Sequence, residues 1–460
     1  MPAQSSAVPS STRCAALLEV AGELGSRAAS ARSARRRSAL LGLYCLAGFA
    51  AKQFRLFDQG FANGSLARDD QFPPAFVLET TARQVAFDID LFLRTISQRD
   101  TENSTAAMRD TLALADRLAA SALAPAVRQQ LIEETTVITY YQKTPTVRLL
   151  PYAPLALIGI DLASINDTAR LLAIVHEAGH HVYRQMTVNY LAGVDEQVAE
   201  RMAAPSGATP VPPAWLLSWV EEIFADVYSV LIAGPVAGLS VQAMLMAESP
   251  SLLLQDDADH PLPALRPVIA VLVLQKLAAL DANAAARLQL SAARLDEQWR
   301  AYLDEQQTGA AFTPAGGGEP VSLAAARQHL ASYVEMLLEG ELAVLAGAPR
   351  PGRWSKGLAD TVTPLSELYT QFTAFCDHLT GDEIPELAAV GDKKVAVTPQ
   401  LPGVKGGQRI VGQIGDPYLD QLRDDALNGK RTLSTGAWKA VFLAGDWVTE
   451  EGGSGITPVK

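Results

Sequence analysis

One segment whose apolar residues recur at the helical period also carries two histidines four positions apart. Residues 171–186 read LLAIVHEAGHHVYRQM, and within them stands the sequence His176-Glu177-x-x-His180. Positions four apart lie one above the other on a helix, so the two imidazoles project from the same face. Burial of such groups in an apolar helix is costly unless a partner satisfies them. The fold must therefore bring a partner to this face.

This spacing is the H-E-x-x-H pattern, in which two imidazoles bind one Zn²⁺ and the carboxylate takes a proton from bound water. We therefore predict His176 and His180 as ligands of one zinc ion per chain, and Glu177 as the general base. Ala178 and Gly179 are small, which leaves room for a metal and a substrate. The alternative is coincidence, but only six His occur among the 460 residues, so a chance match is rare.

A catalytic zinc site also needs a third protein ligand and an open position for water. An extended motif with a third His would require Gly and His at the positions where this chain has Tyr183 and Met186. That arrangement is excluded. The third ligand must come from another segment.

A second apolar segment, residues 219–229, reads WVEEIFADVYS and places Glu222 and Asp226 on one helical face. We predict Glu222 as the third ligand, and Asp226 as the acceptor of a hydrogen bond from the outer nitrogen of a ligating His. Glu221 stays open as the alternative ligand, although it lacks an Asp four residues later. Paired acids usually mark a solvated face, but this helix is apolar almost all round.

The H-E-x-x-H sequence followed by E-x-x-A-D resembles the motif pair of the gluzincin metallopeptidases. It is most similar to the group that includes HtpX and the CAAX-processing endopeptidases. The segment 259–266, DHPLPALR, is similar to the His-Pro…Arg segment of that group, and the resemblance covers roughly residues 135–275. It implies a zincin-like fold and a zinc-dependent metalloendopeptidase that acts on a peptide or protein. HtpX itself lies in membranes, so soluble relatives are the closer comparison.

The resemblance also implies roles for two residues after the second motif. His260 is the first candidate to donate to the oxyanion of the tetrahedral intermediate, with Tyr228 and Tyr183 as alternatives. Arg266 is expected to pair with Asp226 or with a neighbouring acid.

Short β-branched and apolar runs between residues 134 and 160 predict a small sheet of two or three strands. The last run, PLALIGID (154–161), directly precedes the His176 helix, and we predict it as the edge strand of the sheet. Unpaired backbone groups of Leu157, Ile158 and Gly159 would then hold an extended peptide by strand addition.

Charge and cysteine content narrow the class of partners. The chain has 38 Lys and Arg against 50 Asp and Glu, a net charge of −12, which argues against a nucleic-acid partner. No run of about 20 apolar residues predicts a transmembrane helix. The nearest candidate, Ala39–Ala51, is interpreted as a core or interfacial helix with a basic flank, and contact with a membrane surface stays open as the alternative. Three scattered cysteines indicate neither a disulfide framework nor a thiolate metal cluster, so we expect a cytoplasmic protein.

The remaining periodic segments are helical, so the predicted fold class is α+β and mainly α-helical. A zincin-like domain would combine the small sheet with the two site helices. A Gly-rich linker is predicted at 309–320. The predicted regions are an N-terminal arm and helical region (1–70), a zinc metallopeptidase domain (71–308), a C-terminal helical extension (321–390) and an irregular C-terminal segment (391–460).

Two other functions are open at this point. One is a zinc-binding regulatory or interaction protein whose metallopeptidase-like site is inactive. The other is a helical scaffold protein with a fortuitous motif. Metal analysis and a peptide-cleavage assay separate the three hypotheses.

Overall fold

The computed structural model describes residues 10–64, 66, 73–128, 132, 134–148, 150, 152–187, 213–339, 365–381, 384–387, 447–449 and 456–458. Of the C-terminal segment predicted at 391–460, only two short strands are described. The rest of that prediction, and the start of the predicted N-terminal arm up to residue 9, lie outside the described residues.

Helices dominate the described chain, and they surround one three-stranded sheet, so the fold is mainly α-helical with a small sheet. The α-helices are α1 (Ser10–Ser26), α2 (Ala34–Asn63), α3 (Pro74–Ser97), α4 (Ala106–Arg128), α5 (Ala173–Thr187), α6 (Ala214–Ser218), α7 (Val220–Ala233), α8 (Pro235–Met246), α9 (Arg266–Leu280), α10 (Ala285–Glu305), α11 (Leu323–Glu339) and α12 (Leu365–Cys376). The strands are β1 (Thr136–Gln142), β2 (Thr146–Arg148), β3 (Leu155–Asp161), β4 (Ala311–Phe312), β5 (Val321–Ser322), β6 (Trp447–Thr449) and β7 (Ile456–Pro458).

The three-stranded sheet is buried on both faces. Its strand order is β1-β3-β2, with β3 parallel to β1 and antiparallel to β2. Successive side chains of a strand point to opposite faces, and here each face meets a different hydrophobic cluster. Ile138, Tyr140, Leu155 and Leu157 join a cluster with α1, α2 and α3, whereas Val137, Tyr141, Ala156, Ile158 and Ile160 join a cluster with α4, α5 and the helices from α6 onwards. The sheet therefore lies between two helical layers.

The helices of the predicted N-terminal region pack into the cluster that contains α3 and the sheet. The apolar run Ala39–Ala51 lies within α2, where Leu43 and Leu46 are fully buried. Helices α11 and α12, from the predicted C-terminal extension, belong to the same cluster as the two site helices. Among the described residues, no helix combines the length and apolarity needed to cross a membrane.

Strand β3 is the central strand of its sheet, so the prediction of an edge strand at Leu157, Ile158 and Gly159 is wrong. All three residues pair with β1 on one side and with β2 on the other. Strand β2 is only three residues long, yet it covers the edge that strand addition would need. The unbroken apolar run of β3 is itself typical of a strand buried on both faces.

The predicted linker at 309–320 contains part of a hairpin instead. Strands β4 and β5 pair across it, and Phe312 packs on Trp215 and Trp219 with ring centroids 5.7 and 5.9 Å away. Gly317 and Gly318 have φ values of 80° and 115°, a conformation that glycine adopts most readily. The glycines therefore serve a turn that returns the chain to α11.

Candidate metal centre

The helix that carries the H-E-x-x-H sequence, α5, follows a 3₁₀ turn at Thr168–Leu172. Asp167 caps this turn, because its carboxylate accepts a hydrogen bond from the Ala169 backbone N–H. Val175, Ala178 and Val182 are fully buried in the large cluster. Their packing sets the rotation of α5 about its axis, which turns its imidazoles toward α7.

The second site helix, α7, begins after Trp219 and ends at Gly234, whose φ of 65° precedes Pro235 and α8. Its first turn carries two acids, Glu221 and Glu222, where the helix N-terminus stabilises negative charge. Asp226 follows one turn later, and only 5% of its side chain is exposed. Glu222 and Asp226 therefore face α5 rather than solvent, whereas Glu221 is partly exposed.

Gly179 lets the two site helices approach closely. A Cβ atom at this position would lie 2.7 Å from the Ala225 Cα and 2.9 Å from the Ala225 carbonyl oxygen. The two helices are antiparallel where they touch, because His176 contacts Asp226 while His180, one turn later in α5, contacts the earlier residue Glu222 of α7. The small residue at position 179 therefore serves helix packing, and not a space for metal and substrate as the sequence suggested.

Three side chains converge on one point between the helices. The Nε2 atoms of His176 and His180 are 3.0 Å apart. Glu222 faces both: its Oε1 lies 3.1 Å from His180 Nε2, and its Oε2 lies 3.3 Å from His176 Nε2. For comparison, the edge of a tetrahedron with metal–ligand bonds of about 2.0 Å is about 3.3 Å. The group His176, His180 and Glu222 could therefore hold a metal ion, as predicted.

The outer nitrogen of each imidazole faces a different carboxylate. His176 Nδ1 lies 2.9 Å from Asp226 Oδ1. His180 Nδ1 lies 2.8 Å from Glu221 Oε1. Asp226 thus lies where it was predicted, next to the outer nitrogen of one His. Glu221, the alternative third ligand, lies outside the converging group and contacts the outer nitrogen of His180.

Arg266, the first residue of α9, closes the cluster from a third helix. Its Nε donates to Asp226 Oδ2 at 3.0 Å, and its Nη2 lies 3.2 Å from Asp226 Oδ1 and 3.1 Å from Glu222 Oε2. The pairing with Asp226 that was expected of Arg266 is present, and Glu222 is a second partner. The same Nη2 lies 3.1 Å from His176 Nε2. A permanent cation thus borders the converging donors.

The carboxylates control the charge state of the cluster. Burial alone lowers the pKa of His180, but hydrogen bonds with Glu221 and Glu222 outweigh it and raise this pKa to about 9. Burial also opposes the charge of His176, and Asp226 nevertheless raises its pKa. The pKa values of Glu222 and Asp226 are lowered despite burial, because imidazoles and the Arg266 guanidinium face them. The site favours bound positive charge.

Glu177, the predicted general base, is buried with 8% exposure. It follows His176 and so projects about 100° further around α5. Its charge helps to raise the pKa values of both His180 and Arg266, which puts its carboxylate within electrostatic range of the cluster. The charge of Glu177 is therefore felt by groups of the site.

His260 reaches the rim of the cluster from the loop before α9. Its Nε2 lies 3.8 Å from Glu222 Oε1, and half of its side chain is exposed. Its Nδ1 lies 2.9 Å from Asp257 Oδ2, while its backbone N–H donates to Asp257 Oδ1 at 2.8 Å. Asp257 therefore holds the ring from its Nδ1 side and leaves Nε2 on the side of Glu222.

The two alternative oxyanion donors lie in the core instead. Tyr228 is fully buried, and its hydroxyl donates to the Ala122 carbonyl oxygen at 2.7 Å. Tyr183 packs against Phe224 with ring centroids 5.3 Å apart. Of the three candidates, His260 lies beside the converging group, at Glu222.

Sequence reasoning missed the partners Glu221 and Asp257. The sequence predicted Glu221 only as an alternative ligand, although its place at the start of a helix does favour a carboxylate there. Asp257 lies three residues before His260 in an acidic loop, a spacing that permits a local side-chain contact.

No protein-family model, no curated protein and no solved structure matches this chain.

Proposed function

We propose that the protein is a zinc-dependent metalloendopeptidase with a zincin-like arrangement of the sheet and the two site helices. The observation that carries this proposal is the convergence of His176 Nε2, His180 Nε2 and the Glu222 carboxylate between α5 and α7. The resemblance to the gluzincin motif pair supports it, because the side chains that the motifs single out do meet in space.

The donor set favours zinc. Two imidazole nitrogens and one carboxylate form a ligand set of catalytic zinc sites, which keep a fourth position for water or substrate. Carboxylate and carbonyl oxygens alone, which suit Mg²⁺ and Ca²⁺, are not the donors gathered here. We expect one zinc ion per chain.

In this proposal a bound zinc ion would polarise the scissile carbonyl and lower the pKa of its water. Glu177 would accept the proton of that water and pass it to the leaving amine. Asp226 would hold His176 in place from the far side of its ring, and Arg266 would hold that carboxylate in turn. His260, supported by Asp257, would donate to the oxyanion from Nε2.

Substrate binding would use β2 instead of β3. Helix α5 packs against β2 and β3, and β2 is the outer strand on that side of the sheet. An extended peptide could add to its open edge, since a strand edge offers unpaired backbone donors and acceptors. The proposed substrate is therefore a peptide or protein segment in extended conformation.

The experiment that tests the proposal is zinc content measured together with cleavage of a broad peptide library. We expect wild type to bind one zinc per chain and to hydrolyse peptides. Glu177→Gln should keep zinc and fold but lose hydrolysis, because the amide cannot accept the proton. Glu248→Gln, at an exposed position of the chain, is the matched control and should stay active.

Undiminished hydrolysis by Glu177→Gln would refute the mechanism. Zinc-loaded wild type that cleaves no peptide in the library would favour a zinc-binding regulatory or interaction protein. Wild type that binds no zinc would leave only the scaffold hypothesis.

A further inference from the structure

Both nitrogens of one imidazole face consecutive residues of α7. The Oε1 of Glu222 lies 3.1 Å from His180 Nε2, and the Oε1 of Glu221 lies 2.8 Å from His180 Nδ1. Side chains of consecutive helical residues diverge by about 100°, so two neighbouring glutamates can contact opposite sides of the same ring. The first turn of α7 thus holds the His180 ring from both sides.

Of the two glutamates, only Glu222 is placed to be a metal ligand. Glu222 reaches His176 as well as His180 and belongs to the converging group, whereas Glu221 touches the nitrogen that points away from it. A carboxylate at Nδ1 keeps the proton there and leaves the Nε2 lone pair for the metal. The same contact raises the basicity of the ligand.

Glu221 differs from Asp226, which faces the outer nitrogen of the other His. Asp226 also binds Arg266 and is almost fully buried, so its loss would leave a buried cation without one of its two carboxylate partners. Glu221 keeps 33% of its side chain exposed. Its contact with His180 can therefore be removed with less disturbance of the packing.

We infer that Glu221 is a positioning residue for His180: it fixes the ring with Nε2 toward the metal and thereby sets the affinity of the site for zinc. This inference rests on the proposed zinc site. The first turn of α7 then supplies one ligand, Glu222, and the adjacent Glu221 supports a second ligand, His180.

The test is a competition titration of Zn²⁺ against a chromophoric chelator. We expect Glu221→Ala to raise the zinc Kd by about 10- to 100-fold, the usual loss for an outer partner of a ligating His. Glu221→Gln should lose less, since its amide oxygen can still accept the Nδ1 proton. The visible spectrum of Co²⁺ in the same site should change in Glu221→Ala and return toward wild type in Glu221→Gln.

The control for lost negative charge is Asp259→Asn, an exposed acid of the neighbouring loop. We expect its zinc Kd and Co²⁺ spectrum to match those of wild type. Equal weakening in Asp259→Asn and Glu221→Ala would overturn the inference, because a general field effect would then suffice. Wild-type affinity and spectrum in Glu221→Ala would overturn it as well.

Failure of the proposed function has a different signature. If wild type binds zinc and the Glu221 variants weaken it, but no peptide is cleaved, the inference stands and the peptidase proposal falls. If wild type cleaves peptides while the Glu221 variants bind zinc normally, the inference alone falls. Wild type without zinc affinity overturns both.

Discussion

Substitution of Gly179 by Ala should separate the two site helices and weaken the metal centre. The added Cβ would lie 2.7 Å from the Ala225 Cα and 2.9 Å from its carbonyl oxygen, which are backbone atoms that cannot rotate away. Carbon atoms in contact are about 3.5–4.0 Å apart, so α5 and α7 must move apart by about 1 Å.

This displacement would change the distances between the metal donors, because the two His side chains belong to α5 and Glu222 belongs to α7. The distances from Glu222 to the two imidazoles are now 3.1 and 3.3 Å, and the shift would stretch them to about 4 Å, beyond the edge of about 3.3 Å that tetrahedral zinc requires. We expect zinc affinity to fall by at least about tenfold, the loss seen when a ligand loses only an outer partner.

Two opposite effects act on the stability of the same variant. Overpacking costs about 1–3 kcal/mol, whereas Ala in place of Gly inside a helix returns about 1 kcal/mol. The net change in the free energy of unfolding should therefore be a loss of up to about 2 kcal/mol.

The matched control is Gly22→Ala in α1, where an added Cβ would meet nothing within 4 Å. This variant should gain up to about 1 kcal/mol and bind zinc as wild type does. The assays are chemical unfolding of the metal-free proteins and zinc titration. Gly179→Ala with the stability of Gly22→Ala and undiminished zinc affinity would refute the reasoning about helix separation.

Two further predictions concern His180 and the buried Tyr228. The pKa of His180 is raised from its ordinary value of 6.5 to about 9, so its protonation stabilises the metal-free fold below about pH 6.5, and this contribution is lost as the pH rises through 9. Unfolding followed between pH 6 and 9.5 should show that decline, and His180→Ala should flatten it; an unchanged slope would contradict the assigned pKa shift. Tyr228→Phe removes the hydroxyl that donates to Ala122, so it should cost about 1 kcal/mol of stability and leave the kcat of hydrolysis unchanged. A large fall in kcat without loss of stability would instead make Tyr228 the oxyanion donor.

Local sequence patterns were sufficient to find the core of the site. The spacing of His176 and His180 places their rings one turn apart on any α-helix, and the same holds for Glu222 and Asp226. Apolar surroundings implied that both pairs are buried. These features depend on helix geometry alone, which is why the sequence carries them.

Strand position could not be obtained in this way. The run LALIGI is compatible with any buried strand, and only the pairing with Thr146–Arg148 shows that β3 is central. Likewise, the Gly-rich segment after Phe312 has the composition of a linker, and its packing on Trp215 and Trp219 makes it a hairpin. The position of β3 and the hairpin at Phe312 both depend on which other segments these residues contact. Local composition does not specify those contacts.

The sequence by itself determined that His176 and His180 share one helical face and that Glu222 and Asp226 share another, because residues one helical turn apart share a face whatever the rest of the chain does. The packing of α5 on α7 decided that Glu222 rather than Glu221 meets the two His side chains. The tertiary structure decided how those side chains are supported. Glu221 faces His180, and Gly179 meets Ala225, only because α5 and α7 pack with a particular rotation and separation. Those two quantities are set by the whole hydrophobic cluster around the helices, and no single segment encodes them.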